Sequence, residues 1–338
     1  MSKSTSIFLA GLLVGALLMS GAFALILRNK PAATASAEKR VLKLAHGLPP
    51  NHPVHIAMEH MKEHLEKISS GAMTIEIYPS GVLGGETECI EQLQNGALAM
   101  TKTSSAPMEA FIPEMQLFGL PYVFRDEEHF WKILSGEIGA QLLEQGRDKG
   151  LLGLCYYDAG SRNFYTAKRQ IKTPADLKGL KIRVQNSPVA IKMVKALGGA
   201  PTPISWGELY SALAQGIVDG AENNMPSFIS NKHWEVCKFF SLDAHTRVPD
   251  ILLISTPIWE KLSSGEQEWL QEAANVSSTY QRDLWKKKTI EDIKEARRLG
   301  VEIYDPDKKP FMDLVAPLYD EYEGTSVGAL LERIRAVK

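Results

Sequence analysis

Cysteine is scarce in this chain of 338 residues. Cys89, Cys155 and Cys237 show no C-x-x-C spacing, which excludes a disulfide framework and a zinc or redox motif of that kind. They read as small, buried apolar residues. Charge of one sign is not concentrated either: 38 basic residues face 40 acidic ones with no extended basic block, so there is no electrostatic footprint for a nucleic-acid backbone. The G-x-S-x-G elbow, the H-E-x-x-H helix and the phosphate-binding loop are absent, which removes three common frameworks for hydrolysis and phosphoryl transfer. What remains is an ordinary globular composition, with 44% hydrophobic and 8% aromatic residues and with 18 prolines and 26 glycines spread along the chain. At about 150 residues per domain, the length suits two lobes.

Long apolar runs are also rare, with one exception. Lys3 precedes an uncharged stretch of 21 residues, Ile7 to Leu27, followed by Arg28, Lys30 and Ala35-Ser36-Ala37. A basic start, an apolar run and a small-x-small tripeptide are the marks of an export signal cut after Ala37. A retained anchor is the alternative, because 21 residues suffice to span a bilayer, and basic residues on both flanks leave the orientation undecided. Under either reading, residues 38–338 are exported to the periplasm, with 35 basic and 40 acidic residues and a net charge of −5.

The exported part reads as alternating strands and helices. Val41–Ala45 and Thr74–Tyr78 are rich in branched residues, and between them Ala57, Met61, Leu65 and Ile68 fall on one helical face. Leu180–Val184 opens a second strand and helix pair, with Ser187-Pro188 as N-cap and first helical residue and Val189, Met193 and Leu197 facing inward. This order predicts a parallel α/β sheet. Two segments echo each other, Leu93-Gln94-Asn95-Gly96-Ala97-Leu98-Ala99 and Leu213-Ala214-Gln215-Gly216-Ile217-Val218-Asp219. Each reads as a helix end closed by a left-handed glycine and then a short strand. The second helix is expected to start in a capping box at Ser205-Trp206-Gly207-Glu208. Polar clusters follow both strands, Thr101-Lys102-Thr103-Ser104-Ser105 and Glu222-Asn223-Asn224, where open α/β sheets face their ligands. From Gly265 to Gly300 no glycine or proline interrupts 34 residues, which predicts a helix of about 50 Å lying across both lobes. The alternative is a break near Val276-Ser277-Ser278-Thr279, where helix propensity dips.

Arg162, Arg183 and Asn223 carry the most chemical information. Arg183 lies inside Gly179-Leu180-Lys181-Ile182-Arg183-Val184, a strand that otherwise reads as buried. A buried guanidinium needs an anion or a lining of acceptors, and a ligand carboxylate matches its paired donors. An internal salt bridge or an exposed edge position would also account for it.

Four motifs in order resemble the extracytoplasmic solute-binding proteins of tripartite ATP-independent periplasmic (TRAP) transporters, the DctP family. They are Gly160-Ser161-Arg162-Asn163-Phe164-Tyr165-Thr166, Ile171-Lys172-Thr173-Pro174-Ala175-Asp176-Leu177-Lys178-Gly179-Leu180-Lys181-Ile182-Arg183, Pro201-Thr202-Pro203-Ile204-Ser205-Trp206-Gly207-Glu208-Leu209-Tyr210, and Val218-Asp219-Gly220-Ala221-Glu222-Asn223. The resemblance runs from about residue 40 to 325. It implies a two-lobed α/β periplasmic-binding-protein fold, with 38–160 plus 249–288 as lobe I and 161–248 plus 289–338 as lobe II. It also implies capture of an organic acid, without catalysis or cofactor, for the small and large subunits of a sodium-driven membrane permease. Arg183 would clamp the carboxylate, Arg162 would be a second contact and Asn223 a pocket amide. By the same matching, His46 and Glu86 join the pocket; Ser104 stands where members with acidic ligands often carry glutamate. Asn224 and the stretch His245-Thr246-Arg247-Val248-Pro249-Asp250 look like the subgroup that binds sugar acids, especially the hexuronates glucuronate and galacturonate. Asp158 and Tyr157 complete a wall of donors and acceptors suited to hydroxyls, and the protein is expected to be a monomer.

Other readings compete. A C4-dicarboxylate or another organic acid would suit the same family, and the binding protein of an ATP-driven importer would share its fold. An exported enzyme on sugar acids would use Glu86, His46 or Asp158 as acid or base. A metal-binding lobe would use His46, His52, His55, His60 and His64, of which His60 and His64 sit one helical turn apart. No cysteine or carboxylate completes that set, and solvated helix surface is the plainer reading for these histidines. Phe164, Tyr165, Trp206 and Phe228 read as core, or as platforms for a sugar face.

Overall fold

The computed structural model describes residues 39–337; the segment read as an export signal lies outside them. The first strand, β1 (Arg40–Ala45), leads into helix α1 (Pro53–Ile68) and back to β2 (Met73–Tyr78), the β-α-β unit expected from the sequence. The His52 ring nitrogen accepts from Val54 N at 3.2 Å and Pro53 fills the first helical turn, so the helix starts where its free amide groups are satisfied. Ala57, Met61 and Leu65 are buried on its inner face. Helix α2 (Glu86–Gln94) then precedes β3 (Met100–Ser104), and helices α3 (Glu127–Leu134) and α4 (Glu137–Glu144) precede β4 (Leu151–Tyr157).

The chain next crosses to a second sheet: β5 (Arg162–Thr166), β6 (Lys181–Val184), helix α5 (Pro188–Ala196), β7 (Ala200–Pro203), helix α6 (Leu209–Ala214), β8 (Gly220–Asn223), helix α7 (Met225–Ser230) and β9 (Phe239–Thr246). Ser187 caps α5 by accepting from Ala190 N at 2.9 Å. A return crossing places β10 (Asp250–Ser255) in the first sheet, whose order is β2-β1-β3-β10-β4. After the long helix α8 (Ser264–Arg298), β11 (Glu302–Tyr304) joins the second sheet, ordered β11-β9-β5-β8-β6-β7, and helix α9 (Ser326–Ala336) ends the chain.

Two expectations need correction. The sheets are mixed rather than parallel, since β10 pairs antiparallel with β3 and β4 and β5 pairs antiparallel with β8 and β9. Antiparallel strands come from the two crossings between sheets, which bring the chain back from the opposite direction. The box at Ser205 does not form: Ser205 Oγ donates to Glu208 at 2.6 Å, a single 3-10 turn spans Trp206–Glu208, and α6 begins after it. The echo does hold. Gly96 and Gly216 close α2 and α6 with φ of 76° and 68°, and their amides donate to Leu93 O and Leu213 O at 3.0 Å each.

Both sheets are covered on two faces. In β10, Ile251 and Leu253 join one apolar cluster and Leu252 and Ile254 another, as a two-residue period demands. Helix α8 has 35 residues without a break and is opened by a capping box between Ser263 and Glu266. Its buried stripe follows the helical repeat. Leu270, Ala273, Ala274 and Trp285 pack with the first sheet and Ala296 with the second. Ser277, in the stretch where a break was considered, hydrogen-bonds Tyr157 at 2.8 Å. Tertiary packing overrides the dip in propensity there. The last helix, α9, packs through Val327, Leu330, Leu331 and Ile334 with the first sheet's cluster, whereas the expected boundary assigned everything after 289 to the second lobe.

Candidate functional site

The two sheets face each other across a cavity that holds about 430 Å³ of open space, solvent at its mouth included. Its walls come from the strand ends that the sequence pointed to: Lys102 and Ser104 of β3, Asp250 of β10 and Glu86 at the start of α2 on one side, Arg162, Gln185, Asn223, Asn224 and Trp206 on the other. Contacts between the walls already exist. Ser104 Oγ donates to Gln185 Oε1 at 3.4 Å, and the His52 ring meets Ser227 Oγ at 3.2 Å.

Arg162 is held by its own chain. Its guanidinium forms a two-pronged pair with both carboxylate oxygens of Glu222, donates to Glu222 O at 2.7 Å and donates to Asn223 Oδ1 at 3.1 Å. Behind the pair, the His245 ring contacts Asp243 Oδ2 at 2.6 Å and Glu222 Oε2 at 3.4 Å, and Asp243 Oδ1 accepts from Phe164 N at 2.9 Å. Burial pushes the Glu222 carboxyl up, yet the neighbouring Arg162 and His245 hold it down at about 2. Burial likewise opposes charge on His245, but Asp243 and Glu222 raise it to about 9, so the imidazole is protonated at neutral pH.

Arg183 is different. It is 1% exposed and donates through Nε to Ile204 O at 2.8 Å, with its guanidinium 5.8 Å from the Trp206 ring, while Nη1 is buried with no hydrogen-bond partner among the described residues. Burial lowers it only to about 10, leaving it charged. It lines a neighbouring cavity of about 520 Å³, open space at the mouth included, that shares Glu86, Gln185 and Trp206 with the first one. A buried charged donor without an acceptor costs free energy until an anion meets it.

Lys102 escaped the sequence reading. It is 4% exposed, 3.1 Å from Asp250 and 3.8 Å from Glu86, and Glu86 also accepts from Ser104 N at 2.8 Å. Its signal was available, because a lysine within a strand of buried residues demands a partner as Arg183 does; the run Thr101-Lys102-Thr103-Ser104-Ser105 instead read as a polar cluster following a strand. Gln185 and Asp250 were missed as cavity residues too.

Of the expected site residues, Arg162, Asn223, Glu86, Ser104 and Asn224 line the main cavity and Arg183 lines its neighbour. Asn223 Oδ1 is engaged by Arg162, and Asn224 caps α7 by accepting from Ser227 N at 2.8 Å. Three of the expected residues do not line the main cavity. Tyr157 is wholly buried and spends its hydroxyl on Ser277 of α8. Asp158 is clasped at the crossing between sheets: Gln281 bonds its backbone from both sides at 2.7 and 2.8 Å, and its carboxylate accepts from Gly160 N at 2.7 Å. His46 is buried one residue short of the cavity, paired with His55 at 3.0 Å and accepting from Leu48 N at 3.1 Å. Burial and the nearby Lys102 lower it to about 2, which makes it a neutral structural ring.

Among the described residues, no group of three or more His, Cys, Asp or Glu side chains is placed to hold a metal ion. Nor are His46, His52 and His55 solvated surface, since all three are buried; His60 stacks on Tyr280 and His64 meets Glu272 at 3.2 Å. Phe164, Tyr165 and Phe228 are core, and among the four aromatics proposed as platforms Trp206 reaches the cavity. The three cysteines are free and buried, as expected.

Comparison with known proteins places this geometry in context. The family model described as bacterial extracellular solute-binding protein, family 7 (DctP) matches residues 44–325. A TRAP periplasmic solute-binding protein from Anaerococcus prevotii, solved with bound alpha/beta D-glucuronate, superposes with a TM-score of 0.86 at 36% identity, covering 88% of this chain and 97% of that one. One from Bradyrhizobium, in complex with alpha/beta-D-galacturonate, gives 0.85 at 39% identity over 87% and 99%. One from Polaromonas, bound to D-erythronate, gives 0.86 at 32% identity over 88% and 99%.

Proposed function

The chain belongs to the bacterial extracellular solute-binding proteins of family 7, the DctP family of TRAP transporters, and on that premise we propose that it captures a hexuronate of the D-glucuronate or D-galacturonate type and returns it unchanged. The supporting observation is the buried Nη1 of Arg183, an unanswered donor beside a cavity lined by amides, hydroxyls and carboxylates. A ligand carboxylate supplies the missing acceptor, and ring hydroxyls answer Glu86, Ser104, Gln185 and Asn223. An apolar acid would leave those groups unpaired at about 1–3 kcal/mol each.

In this reading, the walls are lobes that close on the ligand in the periplasm. Lobe I is 38–160 plus 249–288, and lobe II is 161–248 plus 289–338, except that α9 packs with lobe I. The monomer then hands its cargo to the small and large permease subunits, with a sodium gradient driving uptake. Cleft closure is driven by the ligand's preference for the closed form.

Calorimetry with D-glucuronate and D-galacturonate tests the reading. Saturable binding with chemically unchanged ligand is expected, and a ligand at 100 times its Kd should add about 2.7 kcal/mol of stability in a thermal melt. No binding of either sugar acid, or conversion of one into a product, would overturn it.

A further inference from the structure

The charges around the cavity divide unevenly between its two walls. On the second sheet's wall, Arg162 is matched by Glu222 and His245 by Asp243, so those four charges cancel within the chain. Arg183 alone is left over there, with Nη1 unanswered. On the first sheet's wall, one ammonium serves two carboxylates: Lys102 lies 3.1 Å from Asp250 and 3.8 Å from Glu86. One wall therefore holds a surplus positive charge and the other a surplus negative one.

We infer that this arrangement makes the cleft selective for ligands with a single negative charge, polyhydroxylated monocarboxylates, and that Glu86 and Asp250 are the residues that reject a second carboxylate. The inference rests on the sugar-acid reading and sharpens it. A monoanion sets its carboxylate against Arg183 and turns neutral hydroxyls toward Glu86 and Asp250, which accept their hydrogens. A diacid such as an aldarate has as many hydroxyls but brings its far carboxylate against that wall. Lys102 cannot answer it, because its charge is already shared between two partners. Like charges facing each other in a closed, poorly hydrated site are strongly unfavourable, and rejection by a built-in repulsion is how such sites separate near-identical ligands. Rejection here comes from charge, so it extends to diacids that keep every hydroxyl.

The test compares D-galacturonate with galactarate by calorimetry at pH 8, in the wild type and in Asp250→Asn, Glu86→Gln and Ser104→Ala. The wild type should bind galactarate weaker by about tenfold or more. Removing either carboxylate should shrink that ratio by about tenfold, while Ser104→Ala, which changes the same wall without changing charge, should leave it in place. Glu86→Gln, at the less buried carboxylate, keeps the test available if Asp250→Asn does not fold. Equal affinity for the two acids in the wild type, or a ratio that the charge-removing variants do not move, overturns the inference and leaves the sugar-acid reading standing. Failure to bind galacturonate at all overturns both.

Discussion

Arg162 and Arg183 stand in the same sheet, both buried and both beside the cavities between the walls, yet their surroundings are opposite. Arg162 meets a carboxylate, a backbone carbonyl and an amide oxygen from β8, so four of its five N–H donors are answered before any ligand arrives. Arg183 meets one carbonyl and an indole face. The difference teaches how one sheet divides its labour. A saturated buried charge fixes the wall in place, whereas an unsaturated one gains its missing partner on binding.

The sharpest way to break the comparison is Arg162→Ala. It strands Glu222 without its main partner and should destabilise the ligand-free protein by about 3–5 kcal/mol in urea unfolding. If stability hardly changed and only affinity fell, Arg162 would be a ligand contact like its neighbour. Arg183→Met, which keeps the stem and removes the unanswered group, should do the reverse. Binding of D-glucuronate should weaken by about 2–5 kcal/mol while the ligand-free melt is unchanged or raised; a lowered melt with intact affinity would merge the two arginines into one structural class.

Acidity separates the two regions further. The folded-state pKa of His245 is raised from 6.5 to about 9, so its contribution is full below pH 6.5 and is lost as pH rises through 9. Ligand-free stability should fall by about 2 kcal/mol between pH 6.5 and 8, and His245→Gln should flatten that slope. A wild-type profile already flat over this range would mean that the imidazole is neutral and Glu222 relies on Arg162 alone. The smallest effect is expected at the contact between walls. Ser104→Ala should cost about 0.5–1.5 kcal/mol of ligand affinity without moving the ligand-free melt. No loss at all would leave that hydroxyl a bridge to Gln185 and take it out of the set that meets the ligand.

The repeating features were legible in the sequence: the first β-α-β unit, the proline-led start of α5, the paired glycine turns at Gly96 and Gly216, and the uninterrupted α8. Each depends on residues within a few positions of one another, where period and capping chemistry speak directly. The strand position of Arg183 was legible for the same reason. What stayed hidden depends on partners far along the chain. Nothing local to Arg162 shows that Glu222 will take up its charge, and nothing local to Tyr157 or Asp158 shows that Ser277 and Gln281 of α8 will claim their polar groups. Lys102 fell between the two, since its strand was short and its neighbours polar.

The placement of β10 also bears on how the molecule is made. In space it lies between β3 and β4, so Ser104 must wait for Asp250 and β4 has no neighbouring strand until then. By that point in synthesis every strand of the second sheet except β11 has already been made. The first sheet therefore cannot mature ahead of the second, and the two halves finish folding together rather than in turn. Pairings of such long sequence separation form slowly. Closing the first sheet is therefore a late and slow step, because it waits for a strand made about 150 residues after β3.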